Sequence, residues 1–127
     1  MKINENYCGL KVEANLQDRV CVFHGDSGQG KSFLFDLIKT FCNDHKISCT
    51  MISSKNSDVL KKLDLTESSV FILDNADLYM SNVLFSKIKN SNSLFLISAK
   101  YFTYMDRFLI KQYKVQYEGT EIKAWRR

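Results

Sequence analysis

The chain has 127 residues, 45% hydrophobic and 25% charged, with a formal charge of +4, four cysteines and no proline. That is the size and composition of one globular domain, spanning 1–127, rather than of a disordered or fibrous chain. No run reaches the ~18 apolar residues that cross a bilayer, and the opening MKINENYCGLKVEANL lacks the unbroken apolar core of a secretion signal. A cytoplasmic protein without membrane contact is the expectation. Cys8, Cys21, Cys42 and Cys49 form no C-x-x-C pair, which suits free thiols in a reducing compartment better than disulfides or a metal.

In chain order, LKVEANL places Leu10, Val12, Ala14 and Leu16 at period two, a half-buried strand. RVCVFHG is a short continuous apolar run, the pattern of a strand covered on both faces. KSFLFDLIKTFC follows as a helix, with Phe33, Leu34, Leu37, Ile38 and Phe41 on its inward stripe. SCTMIS reads as a strand, and SDVLKKL as a short helix capped by Ser57 or Asp58. SVFILDN is another buried strand, MSNVLFSKIKN a helix with Val83, Leu84 and Ile88 inward, and SLFLIS a further strand. YFTYMDRFLI has no clear period. KVQYEGTEIKAW splits at Glu118-Gly119 into two alternating runs, a hairpin. Strands alternating with helices predict an α/β domain whose sheet is mainly parallel with helices on both faces, an extra N-terminal strand and a C-terminal β-hairpin at the margin.

Charge is placed unevenly. Through residue 98 there are 11 basic and 11 acidic residues; beyond it Lys100, Arg107, Lys111, Lys114, Lys123, Arg126 and Arg127 face only Asp106, Glu118 and Glu121. A basic tail of this kind is ordinarily a solvated face, with nucleic acid or an acidic protein as the alternative partner.

Three of the five glycines fall in HGDSGQGKSF. Gly25, Asp26, Ser27, Gly28, Gln29, Gly30, Lys31 and Ser32 fit G-x-x-x-x-G-K-[ST]. Glycines let successive backbone N–H groups turn inward around phosphate oxygens. The helix that follows presents unpaired N–H groups and the positive end of its dipole. Lys31 supplies a point charge for the β- and γ-phosphates, Ser32 a hydroxyl ligand for Mg²⁺, and Phe33 continues the binding segment. At average residue usage a chance match in so short a chain is roughly a one-in-a-hundred event.

On these residues, on VFILDNAD (71–77 with Val70) and on SLFLISAK, the chain resembles the P-loop NTPases, in particular the additional-strand group that includes AAA-type and ABC-type ATPases. The resemblance implies a three-layer fold and a Walker B role for Asp74, which would hold Mg²⁺ with Ser32 between the β- and γ-phosphates. It implies that β-strand SLFLIS lies between the other two motif strands, with Ser98 at its end sensing the γ-phosphate. One residue departs from the pattern. Where active members carry a glutamate after the Walker B aspartate, this chain has Asn75, whose amide orients water but takes no proton. Asp77 is the nearest carboxylate, and capping the following helix is its competing role. An arginine from a neighbouring subunit or another protein often completes such sites, and Arg107, Arg126 and Arg127 are candidates within a homo-oligomer.

The function expected is binding of ATP, or another nucleoside triphosphate, with Mg²⁺ and slow or partner-activated hydrolysis. The alternatives are a non-hydrolysing ATP-dependent interaction module and, less well served by 127 residues, a small nucleoside or nucleotide kinase. SAK resembles a guanine-binding element of GTPases, but N-K-x-D and D-x-x-G do not accompany it. Tyr7 and Tyr117 are open to stacking on a base, and His24 and His45 match no zinc pattern with any cysteine.

Overall fold

Apolar alternation and short apolar runs build eight strands in the computed structural model, which describes residues 1–24, 30–58, 65, 68–100 and 110–127. The strands are β1 (Lys2–Tyr7), β2 (Leu10–Asn15), β3 (Val20–His24), β4 (Cys49–Ile52), β5 (Val70–Leu73), β6 (Leu94–Ala99), β7 (Ile110–Glu118) and β8 (Glu121–Arg126). Helix α1 (Lys31–Asp44) follows β3, and α2 (Asn82–Lys89) precedes β6. All eight strands join one sheet in the order β1-β2-β8-β7-β3-β6-β5-β4.

This corrects the expected three-layer α/β architecture, with its mainly parallel sheet and helices on both faces. Among the described residues strand outweighs helix, 44% against 26%, and the sheet is mixed. Its β1–β2 and β7–β8 pairs run antiparallel, while its other neighbours run parallel. Eight strands at ~4.8 Å spacing are roughly 34 Å across, and a helix is only about 10 Å wide. Among the described residues each face carries a single α-helix, 14 or 8 residues long, which covers too little of such a sheet to form the expected outer layers. The hairpin is not marginal either: β8 and β7 sit between β2 and β3, inside the sheet.

Local chemistry explains the added strands. Tyr7 pairs with Leu10 across a two-residue turn in which both Cys8 (φ 50°) and Gly9 (φ 84°) have positive φ. That is the type I′ pattern, whose twist matches the flanking strands. In the second hairpin Glu118 pairs with Glu121, and Gly119 carries the positive φ of 57°. The two hairpins join through parallel β2–β8 pairing, Val12 beside Ile122 and Ala14 beside Ala124.

Two apolar clusters divide β3 by parity: Cys21 and Phe23 enter one with α1, and Val20 and Val22 enter the other with α2. Helix α1 buries Leu34, Phe35, Ile38, Phe41 and Cys42, a stripe rotated from the expected one, so that Phe33 remains 41% exposed. Phe35 decides the rotation, meeting Phe23 edge to face with ring centroids 5.5 Å apart. A buried side chain of this size contributes about 1.5–3 kcal/mol. Helix α2 buries Leu84 and Ile88 but leaves Val83 69% exposed, against expectation. Ile3, Val12, Ala14, Val115, Ile122 and Ala124 extend the α1 cluster beneath both hairpins.

Among the described residues no helix is long and apolar enough to cross a membrane. The expected short helix at SDVLKKL falls mostly outside the described residues, as does Arg107.

The four cysteines are free, Cys8 exposed, Cys21 and Cys42 buried and Cys49 half-buried. Burial pushes Cys21 up to about 12 and Cys49 up to about 12, and raises Cys42. Thiolate is the reactive form, so a thiol reagent at pH 8 should titrate one cysteine rapidly in the native protein and all four in urea. Cys8→Ser should remove the rapid phase. Two or more rapid native thiols would show that this packing is wrong.

Candidate functional site

Strand register levels three chain ends at one edge of the sheet. Phe23 lies beside Ser98 and His24 beside Ala99, while Leu73 lies beside Ile97 from the other side. Asp74, the residue after β5, therefore stands at the same edge as Ser98, and β6 runs between β3 and β5. Helix α1 starts at Lys31, seven positions after His24, and the Phe23–Phe35 contact packs its first turns against β3.

Gly25, Asp26, Ser27, Gly28 and Gln29 lie outside the described residues. Gly30 is the N-cap of α1 in the left-handed region, φ 87°. A Cβ there would come 3.2 Å from the Tyr117 Cβ and 3.6 Å from Ile122 Cδ1. Glycine at 30 is thus required by backbone sign and by the β7–β8 hairpin, whatever binds nearby. Gly30 offers no side-chain cap, and the first turn of α1 holds no acidic residue. Within that turn no carboxylate offsets the positive end of the helix dipole. Lys31 is half-buried; Ser32 and Phe33 are exposed.

The acidic strand end is held by a compact hydrogen-bond set. Ser98, 2% exposed, donates through Oγ to Asp74 Oδ1 at 2.7 Å and accepts there from the Asn75 amide at 2.9 Å. The hydrogen expected to sense a phosphate is thus directed to Asp74, so Ser98 orients the carboxylate. The Asp74 amide donates to the Ile52 carbonyl at 2.8 Å. Tyr79 Oη lies 2.8 Å from the Asp74 carbonyl and 3.1 Å from that of Ile52, clamping β5 to β4. Burial, then the charges of Asp74 and Asp77, raise the ionisation of Tyr79 above its ordinary value.

Asn75 turns the chain with φ 51° into a 3₁₀ turn, Ala76–Leu78, a conformation asparagine tolerates better than most residues. Its side chain and that of Asp77 are exposed, while Asp74 is half-buried. Asp77 Oδ1 accepts from the Lys100 amide at 3.3 Å, just past β6. It does not cap α2; Ser81 does, accepting from the Leu84 amide at 3.1 Å.

The Ser32 hydroxyl and the Asp74 carboxylate are both oxygen donors, the chemistry of Mg²⁺, which is ordinarily held by one or two carboxylates together with substrate phosphates. The described residues contain no group of three or more His, Cys, Asp or Glu arranged to hold a metal by themselves.

The basic tail is largely occupied within the fold. Lys123 pairs with Glu121 at 3.2 Å and Glu13 at 3.8 Å, and its ammonium is held protonated above its usual range mainly by the hydrogen bond to Glu121. Arg126 meets Asp18 at 3.4 Å, and Lys114 lies 5.8 Å from the centre of the Trp125 ring. Sequence reasoning missed Tyr79, because nothing local marks a tyrosine whose partners are carbonyls of two strand ends.

No protein-family model matches the chain, and no curated protein matches it. The site therefore rests on its own residues and geometry.

Ser98→Ala should destabilise the fold by about 1–3 kcal/mol in urea unfolding at pH 7, since the Asn75 amide and the Asp74 carboxylate lose a buried partner. Tyr79→Phe should cost about 1 kcal/mol. Tyr79 ionises higher in the folded chain than the ordinary 10.0, so its contribution is present below pH 10 and lost as pH climbs through the folded value. Wild type should consequently lose more stability than Tyr79→Phe between pH 9 and 11. Equal pH profiles would contradict the clamp.

Proposed function

We propose that this chain binds a nucleoside triphosphate, ATP foremost, with Mg²⁺, and hydrolyses it slowly or only when a partner protein completes the site. The observation that carries this reading is the placement of Asp74, oriented by Ser98 at 2.7 Å, at the sheet edge where β3 leads through the glycine motif into Lys31 and Ser32. The resemblance to P-loop NTPases is proposed for this loop and acidic strand end, not for the layer architecture.

In this reading the amides from Ser27 to Ser32 and the Lys31 ammonium receive the phosphates. Ser32 and Asp74 hold the metal, and Ser98 fixes the Asp74 carboxylate toward it. When bound, Mg²⁺ neutralises charge developing on the β- and γ-phosphate oxygens. Asn75 projects from the adjoining turn, where its amide hydrogen-bonds a water without deprotonating it. A positioned general base is worth roughly 10²- to 10⁴-fold, so turnover is slow. Asp77 is the nearby exposed carboxylate, two residues on and tied to the end of β6. Arg126 is engaged with Asp18, which favours an arginine supplied by another subunit or protein.

Asn75 also supports a second reading, in which ATP sets a conformation that another protein recognises and is not cleaved. A nucleic-acid role draws little support from the tail, since Lys123 and Arg126 have internal partners. Four free cysteines favour a cytoplasmic setting.

Calorimetry with MgATP should give binding heat for the wild type and at least about tenfold weaker binding for Lys31→Ala, the loss of a charge-assisted phosphate contact. Phosphate release should rise by about tenfold or more in Asn75→Glu if the missing base limits the reaction. No binding heat with any common triphosphate would refute the reading. Tight binding without release from either protein would leave the non-hydrolysing module.

A further inference from the structure

Two of the large hydrophobic side chains left exposed meet beside the start of α1. Phe33 is 41% and Tyr117 46% exposed, with ring centroids 5.3 Å apart and planes at 66°. Both lie next to Gly30, whose missing Cβ would fall 3.2 Å from the Tyr117 Cβ.

The pair is there because β7 outruns its neighbour. Tyr113 is level with Phe23 of β3, and β7 continues to Glu118. Tyr117 therefore stands four residues farther on, roughly 13 Å at ~3.3 Å per residue. Tyr113 and Val115 point into the α1 cluster, and Tyr117 shares their parity and hence their face. Beyond the end of β3 that face meets the first turn of α1.

Sheet order gives this location a meaning. If Ser32 and Asp74 grip the metal between the β- and γ-phosphates, the γ end of the triphosphate points toward β5. The nucleoside must then leave in the opposite direction along the order β5-β6-β3-β7, toward β7. Leu78 and Val83, the other exposed large hydrophobics among the described residues, lie on the β5 side and are excluded by the same argument.

We propose that Phe33 and Tyr117 form the stacking platform for the base of the bound nucleotide, a purine. This rests on the triphosphate reading and adds the nucleoside subsite to it. A purine offers the larger π-face to an aromatic ring with partly free surface. Stacking reads ring area rather than exocyclic groups, so this contact grades purines over pyrimidines and leaves adenine and guanine alike.

Two probes separate this proposal from its foundation: MgATP, and magnesium tripolyphosphate, which carries the phosphates without sugar or base. In calorimetry, Phe33→Ala and Tyr117→Ala should each weaken MgATP by about tenfold, in line with the loss of one base–aromatic stack, and leave tripolyphosphate unchanged. Tyr117→Trp, which keeps an aromatic face, should hold MgATP near wild-type affinity. Unchanged MgATP affinity in both alanine variants overturns the platform while the triphosphate reading stands. Equal losses for both ligands also overturn it, because the rings would then be supporting the phosphate loop and not the base. If neither ligand binds the wild type, the triphosphate reading falls and the platform with it.

Discussion

One hydroxyl hydrogen organises the carboxyl edge of the sheet. Ser98 donates it to Asp74 and takes the Asn75 amide in return, so the ends of β5 and β6 are locked at a fixed offset. With Ser98 only 2% exposed, little water competes for its hydroxyl, and a polar group so placed is costly to leave unpaired. The chain turns immediately afterwards, at Asn75, and its direction is set by Tyr79 from the opposite side. A carboxylate on a free loop would sample many rotamers. Here one oxygen has an assigned partner, which reduces the ordering that a ligand would otherwise have to impose.

The second constraint comes from the far ends of the chain. The Tyr113 hydroxyl donates to Asp18 at 2.6 Å and accepts from the Gln17 amide at 3.1 Å, fastening β7 to the segment that enters β3. The same hairpin touches Gly30 at its other end. Residues that frame the glycine motif are thus gripped at the base of β3 and at the start of α1 by one hairpin. Its inner face is continuous with β2 and β1 through buried Ile122, Ala124, Val12 and Ile3. The mixed sheet follows from this: the parallel strands supply the edge, and the two hairpins hold one side of it.

What could be read in advance follows burial. VCVFH, VFIL and LFLISA stand out because their neighbours on both faces are apolar, and each is buried nearly throughout. KINENY does not, since only Ile3 packs fully and β1 is defined by pairing to β2 through a turn with positive φ at a cysteine. Periodicity puts Phe33 on the inward α1 stripe in place of Phe35 because Phe33, Leu34, Phe35, Leu37 and Ile38 cover most of the helix circumference. Only contact with Phe23, invisible to periodicity, selects Phe35. The layer count failed for a related reason. Alternation announces strands and helices, but whether a terminal strand caps the edge or inserts beside β3 is decided by pairing between residues about 110 apart, such as Lys11 and Glu121. At the site, Asp74 and Ser98 were legible by position, whereas Tyr79 and the Phe33–Tyr117 contact depend on tertiary neighbours.

Gly30 shows why a motif must be weighed residue by residue. Its left-handed φ and its approach to Tyr117 account for the glycine without any ligand, so it counts for less toward phosphate binding than the pattern suggests. Lys31 and Ser32 have no such explanation in backbone geometry. A lysine and an exposed serine in the first helical turn neither cap α1 nor fill its core, and a cation at a helix N-terminus opposes the dipole by about 0.3–1 kcal/mol. Lys31 has a partner within the fold, and an anion across the same turn would offset the dipole further. The weight of the motif thus shifts from Gly30 and Lys31, which the fold itself engages, to the exposed Ser32 hydroxyl at the start of α1.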